Sequence, residues 1–200
     1  MNNMITFFRY CKKCKNLFRT IFYNWLFKSR MKEVSHNVDF QIYGDIRLGK
    51  NVRFDANSTI VVEKGGSLDV GDNAYIGANV MIRCYHGKVS IGNNVSINAF
   101  SFLNGAGGLF IGANTRIGSH TSIISSNHIF SDRNKLIKDQ GTSKIGITIG
   151  ENNWIGTNVT LLDGTITPDS TVIGASSLVT KPLESNGVFV GSPVKKIKEV

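Results

Sequence analysis

Proline is scarce, at 3 in 200 residues, and no segment is rich in it. With 21 glycines, that leaves a chain that turns often without proline kinks, which points to a turn-rich β protein. Cysteine is equally scarce: three in a chain of this length build no disulfide framework, and a reducing compartment is expected. Acid is missing from residues 1–32, which carry Arg9, Lys12, Lys13, Lys15, Arg19, Lys28, Arg30 and Lys32. Of 23 basic and 14 acidic residues in all, 15 and 14 remain for the rest, so the body is nearly neutral. The net charge of +9 therefore gives no ground for a nucleic-acid partner, and none is expected. Long apolar runs are absent too. In the basic segment the longest uncharged run near the aromatic block is TIFYNWLF, residues 20–27, far short of the roughly 20 residues of a membrane span. It offers no clean apolar region with a small-residue cleavage site, so a secretory signal is not expected.

What residues 1–35 do contain is a helical period. Phe7, Cys11, Cys14, Phe18, Ile21 and Trp25 follow one another at steps of four and three, which lines them up as one stripe of a helix. Cys11 and Cys14 then act as small apolar residues, and C-K-K-C has no second ligand pair with which to hold zinc. Two roles stand open for this arm. Residues 1–30 form an interfacial anchor on anionic lipid, or the stripe caps the end of the domain core.

From residue 48 onwards an aliphatic residue recurs every six positions, most often as Ile-Gly-x-Asn-x-x: IGANVM, IGNNVS, IGANTR, IGSHTS, IGENNW, IGTNVT. That period is neither helical nor simple β alternation. It is the signature of a parallel β-helix, in which six residues make one strand and one corner and three such units close a triangular coil. The aliphatic residue points inward and stacks on its equivalents, while Gly and Asn accept the left-handed corner. Extra residues are read between groups of three units, at 66–69, 88–90 and 109–110. The expected organisation is a helical arm at 1–35, a repeat domain at 36–185 with a loop at 129–144, and a tail at 186–200. The loop opens at SSNHIFSD, residues 125–132, where the beat stops with a histidine at the break.

The repeat resembles the hexapeptide-repeat acyltransferases, over about residues 40–198, and implies an all-β, left-handed parallel β-helix. The stretch INAFSFLNGAGGLFIGANTRIGSHTSIISSNHIF, the KDQG at 138–141 and the segment from ITIGENNWIG to the C-terminus are similar to the sugar and surface-polysaccharide O-acetyltransferase branch. The resemblance implies acetyl transfer from acetyl-CoA to a sugar hydroxyl of a bacterial capsule, O-antigen or exopolysaccharide, or its lipid-linked precursor. It implies a homotrimer with the cleft between subunits, no metal, and a cytoplasmic enzyme with the arm at the inner face of the membrane. Such transfer needs a base for the hydroxyl proton and a donor for the developing oxyanion, and no covalent nucleophile. His128 matches the family's catalytic histidine and Asn98 the asparagine that positions the acceptor. Trp154 matches a tryptophan near the cleft, with packing on the neighbouring coil as the competing reading. Gly118, Thr157, Ala175, Thr180 and Lys181 match the coenzyme groove. Lys195 and Lys198 stand where the family often has arginines near the phosphates, so charge is kept but bidentate geometry is lost. The group orienting His128 is left open between Asp132 and a backbone carbonyl.

Three other readings compete with this one. An N-acetyltransferase on an amino sugar or sugar nucleotide would usually carry a nucleotide-binding domain ahead of the repeat, and residues 1–40 are too short for one. A β-helical carbonic anhydrase needs three zinc histidines, here drawn from His86, His120 and His128 at gaps of 34 and 8. A non-enzymatic assembly subunit would keep neither the base nor the coenzyme groove.

Overall fold

The computed structural model describes residues 2–199, with side chains described from Cys14 onwards. A helix, Asn2–Leu26, leads into a left-handed parallel β-helix with three faces. The side chains of Phe7 and Cys11, members of the expected stripe, lie outside the described residues. The first face carries parallel strands from Glu33–Val34 to Val188–Gly191, the second seven strands from Asp39–Ile42 to Leu178–Val179, and the third six strands from Asp45–Leu48 to Ile166–Thr167.

The six-residue beat translates into stacked columns. On the first face Phe54, Ile76, Ile97, Ile117, Ile155 and Ile173 sit one above another in strand register. On the second face Ile60, Ile82, Leu103, Ile123, Leu161 and Val179 do the same. All of these are buried. Burying each large aliphatic side chain stabilises the fold by about 1.5–3 kcal/mol, so the column is the main source of stability.

The corners obey backbone sterics. Asn51, Asn73, Asn94, Asn114 and Asn152 all hold positive φ, as only Asn and Gly do readily. Gly118 is required at its corner for a different reason, since a Cβ there would lie 2.5 Å from the Gly156 carbonyl carbon in the next coil. Extra residues do not enter strands. They lengthen the corner between the second and third faces, at 63–66, 84–87 and 105–108, slightly before the positions read from the sequence. A longer turn at an edge leaves the inward column in phase; a longer strand would not.

Both open ends of the prism are covered. The helix lies on the first coil, where Tyr23 and Phe27 pack against Phe40 at ring distances of 4.8 and 5.2 Å. At the other end, where the sequence suggests a tail, Val188–Gly191 and Val194–Lys198 pair as an antiparallel hairpin. Pairing of this kind blunts an exposed strand edge.

Candidate active site

SSNHIFSD begins on the second face and leaves it. After Ser122–Ile124, the chain forms a short antiparallel pair, Asn127–His128 with Thr142–Ser143, before it returns to the third face at Ile147–Ile149. His128 is exposed on this pair, opposite Thr142. The loop beyond it is braced by Gln140, which accepts from the Asp132 amide and donates to the Asp132 and Lys135 carbonyls at 2.9–3.0 Å. Its Ile129, Phe130, Leu136 and Ile137 are exposed.

The loop is held at its root by Asp163. This carboxylate is 6% exposed and accepts from the Ser143 hydroxyl at 2.9 Å and from the Ile145 and Gly146 amides at 3.1 and 2.8 Å. Buried anionic acceptors need such partners. In sequence, Asp163 reads only as a turn residue in LLDGT; its partners lie 17–20 positions away, and no local signal reveals them. Asp132 is engaged within the loop itself. It accepts from the Asn134 amide at 3.0 Å and pairs with Lys135 at 3.6 Å, which weakens its case as the group that orients His128.

The other expected residues fall into two rows on two edges. Asn98, Gly118, Thr157 and Ala175 occupy successive corners between the first and second faces; their coils are linked by Asn98 N to Ile117 O at 2.9 Å and Gly118 N to Ile155 O at 2.8 Å. Trp154 points outward on the first face beside this row, 62% exposed and in register with Arg116 and Val172, so it does not pack into the core. His128, Asp163, Thr180 and Lys181 occupy the edge between the second and third faces. That row ends at a cavity of about 470 Å³ lined by Thr180, Lys181 and Lys195. Lys196 at the same cavity is tied to Ser185 and Glu199, leaving Lys181 and Lys195 as the cations there. Lys198 is exposed on the hairpin opposite Val188. Gly118 and Ser125 stand at opposite ends of the second face, with the turn at Ser119–His120 and the strand Ser122–Ile124 between them. Within one chain His128 and Asn98 therefore belong to different edges.

Next to Asn98 lies a feature that sequence reading missed. Phe100 and His120 both take left-handed backbone at the first edge, φ 63° and 59°, where neighbouring coils have Asn79 and Asn158. Their exposed rings stack at 5.0 Å with planes 5° apart. The signal was available as non-Asn residues in an Asn column. His86 is on the second edge, its Nδ1 2.9 Å from the Lys64 carbonyl, so the histidines weighed for zinc are split between edges. Among the described residues, no three His, Cys, Asp or Glu side chains cluster as a metal site.

No protein-family model matches the chain. Among characterised proteins it is similar to galactoside O-acetyltransferase of Escherichia coli, 31% identical over 160 residues that cover 76% of this chain and 77% of that protein. It is also similar to the putative lipopolysaccharide biosynthesis O-acetyl transferase WbbJ of E. coli, at 29% identity over 69% of this chain and 74% of that protein. A probable acetyltransferase of Mycobacterium tuberculosis is 28% identical over 78% of this chain, which spans half of that protein's length. In fold the chain resembles AntD of Bacillus cereus, an N-acyltransferase solved with coenzyme A and a dTDP-amino sugar. The TM-score is 0.61 and the identity 22%, over 86% of this chain and 84% of that one.

Proposed function

We propose that this chain, which belongs to the hexapeptide-repeat acetyltransferase family and is an acyltransferase, moves the acetyl group of acetyl-CoA to a sugar hydroxyl of a bacterial surface polysaccharide or its lipid-linked precursor. The observation that supports this reading is the pair of rows on two edges, one holding His128, taken here as the base, and the other Asn98, taken here to position the acceptor.

Acetyl-CoA supplies an acetyl group activated as a thioester. His128 takes the proton of the acceptor hydroxyl as its oxygen forms the new C–O bond and the C–S bond breaks, and returns that proton to the departing thiol. A base so placed is worth roughly 10²–10⁴ in rate. Asn98 holds the hydroxyl, and Trp154 flanks it. The small residues Gly118, Thr157 and Ala175 leave room for a slender pantetheine arm along the first edge. Thr180, Lys181, Lys195 and Lys198, at the C-terminal end, fit the polar and phosphate end of the coenzyme as point charges.

The two rows meet when the second edge of one copy faces the first edge of the next. Such a contact is head-to-tail, and a three-fold ring closes it, giving a homotrimer with three shared sites. The exposed apolar residues of the loop then cover the cleft from the histidine side. A precursor carried on lipid places the enzyme at the cytoplasmic face of the membrane.

Mixing inactive copies tests both the residues and their division between chains. His128→Ala and Asn98→Ala proteins are each expected to lose acetyl transfer, read as thiol release from acetyl-CoA in the presence of glycan acceptors. Refolded or co-expressed together, random trimers should recover about a quarter of the wild-type sites, because each shared site draws one residue from each copy. Retained turnover in either single variant would overturn that assignment. Loss in both with no recovery on mixing would overturn the shared site. Acetylation of an amino sugar in preference to its hydroxyl analogue would move the reaction to nitrogen.

A further inference from the structure

The basic arm is mounted on the protein by one side and left open on the other. Asn16 and Thr20 are buried against the first coil. Asn16 Nδ2 donates to Glu33 at 2.9 Å, and the Val34 amide donates to the Thr20 hydroxyl at 2.8 Å. Arg19 donates to the Val38 carbonyl at 2.8 Å, and Tyr23 stacks on Phe27 and packs on Phe40. This side is polar and aromatic, and it is not the stripe that the helical period picks out. Phe18, Ile21 and Trp25 of that stripe point away from the prism, joined by Leu17, Phe22 and Leu26, with Phe18 and Trp25 about three-quarters exposed. For Phe18, Ile21 and Trp25 the core-cap reading is therefore overturned: a different face docks.

A continuous exposed apolar strip on a fixed helix marks a docking surface. Charge selects the occupant. Residues 1–32 hold eight cations and no anion; Lys15 is exposed on the helix that carries the strip, and Lys28, Arg30 and Lys32 are exposed just after it. Two copies of this surface repel, whereas an anionic surface is attracted. No helix among the described residues is long and apolar enough to cross a bilayer. We propose that the strip lies in the plane of an anionic lipid surface, with Leu17, Phe18, Ile21, Phe22, Trp25 and Leu26 sunk to the level of the headgroups and the cations on lipid phosphates.

The test is co-sedimentation of the full chain with vesicles of phosphatidylcholine containing 30% phosphatidylglycerol, beside pure phosphatidylcholine. Binding is expected to the anionic vesicles only, and to weaken as salt is raised from 0.1 to 0.5 M. The substitutions Phe18→Ser, Ile21→Ser and Trp25→Ser together should lower the partition coefficient at least roughly tenfold, because these side chains provide the buried apolar area. All three are exposed, and an unchanged melting curve would confirm that the fold is kept. In a Trp154→Phe background Trp25 is the sole tryptophan, and its emission should shift to the blue on anionic vesicles. Equal binding to both vesicle types, no binding to either, or a triple variant that binds like wild type would overturn the proposal. So would a fall in oligomer mass in the triple variant without loss of lipid binding, which would assign the strip to self-association. None of these readouts depends on acetyl transfer.

Discussion

Along the edge between the third and first faces, Asn51, Asn73, Asn94 and Asn114 repeat without interruption, each side-chain amide donating to the next at 3.1 Å, and Asn152 donates to Ser170 at 3.2 Å. Along the edge between the second and third faces, no two of the first three longer corners are alike, and the fourth opens into the His128 loop. The two edges flank the same face and turn the same chain. They differ in what is asked of each corner. A ladder amide must sit over its neighbour to pass on its hydrogen bond, so an added residue breaks two bonds. A corner without a ladder has no such register to lose, so insertions accumulate there and chemistry can be built from them. The amide ladder occupies one edge, and the loop that carries His128, proposed above as the base, opens from the other.

The sharpest test of that division is His128→Ala. Acetyl transfer should fall roughly 10²–10⁴-fold, while the thermal midpoint stays at the wild-type value because the ring is exposed. A large drop in melting temperature would mean that the second edge also carries stability.

Asp163→Ala should show where the two properties meet. Three donors lose a buried carboxylate, and a cost of about 3 kcal/mol is expected from urea unfolding, given about 1.5–3 kcal/mol for a hydrogen bond to a charged group. Activity should fall with it, since Ser143 stands next to the residue paired with His128. If unfolding is unaffected and activity is kept, the loop does not depend on this anchor.

On the ladder edge the expectation reverses. Asn94→Val removes two side-chain bonds, to Asn73 and Asn114, and forces a β-branched residue into φ 57°. A loss of about 3–4 kcal/mol follows from about 1 kcal/mol per bond and 1–2 kcal/mol for the left-handed backbone. Burial, with the Glu63 carboxylate adding to it, pushes the Cys84 thiol up to about 12. Its alkylation at neutral pH therefore waits on opening of the coil, and it should speed up in Asn94→Val with kcat unchanged. A variant with wild-type labelling and reduced kcat would invert the comparison.

The sequence made most of the prism legible because stacking imposes one inward residue per six and corner sterics impose Asn or Gly, both of which are local demands. His128 and Asn98 stand out in the sequence by their likeness to a family motif. Their separation is not legible, because which edge a residue occupies depends on how many faces the chain has crossed, and the lengthened corners blur that count. The period of the arm revealed an apolar stripe but not its direction: a helix dictates which residues share a side, and only its partners dictate which side docks. Asn16 and Thr20 chose that, through Glu33 and the Val34 amide.

The smallest effect sharpens the comparison at the remaining edge, between the first and second faces. There Phe100 and His120 hold a backbone conformation that suits asparagine, at a cost of about 1–2 kcal/mol for each residue. Part of that is recovered by the ring stack, worth about 0.5–1.5 kcal/mol for an aromatic pair. Replacing both with Asn should therefore raise stability by about 0.5–3.5 kcal/mol, matching the amide corners of Asn79 and Asn158 on the same edge. Strain retained at an exposed position is explained when the position has work to do, and these rings lie one coil apart next to Asn98. The double variant should then raise KM for the glycan acceptor and leave KM for acetyl-CoA alone. If stability rises and both KM values stay put, the stack is no part of acceptor binding, and the first edge reduces to Asn98 and the coenzyme row.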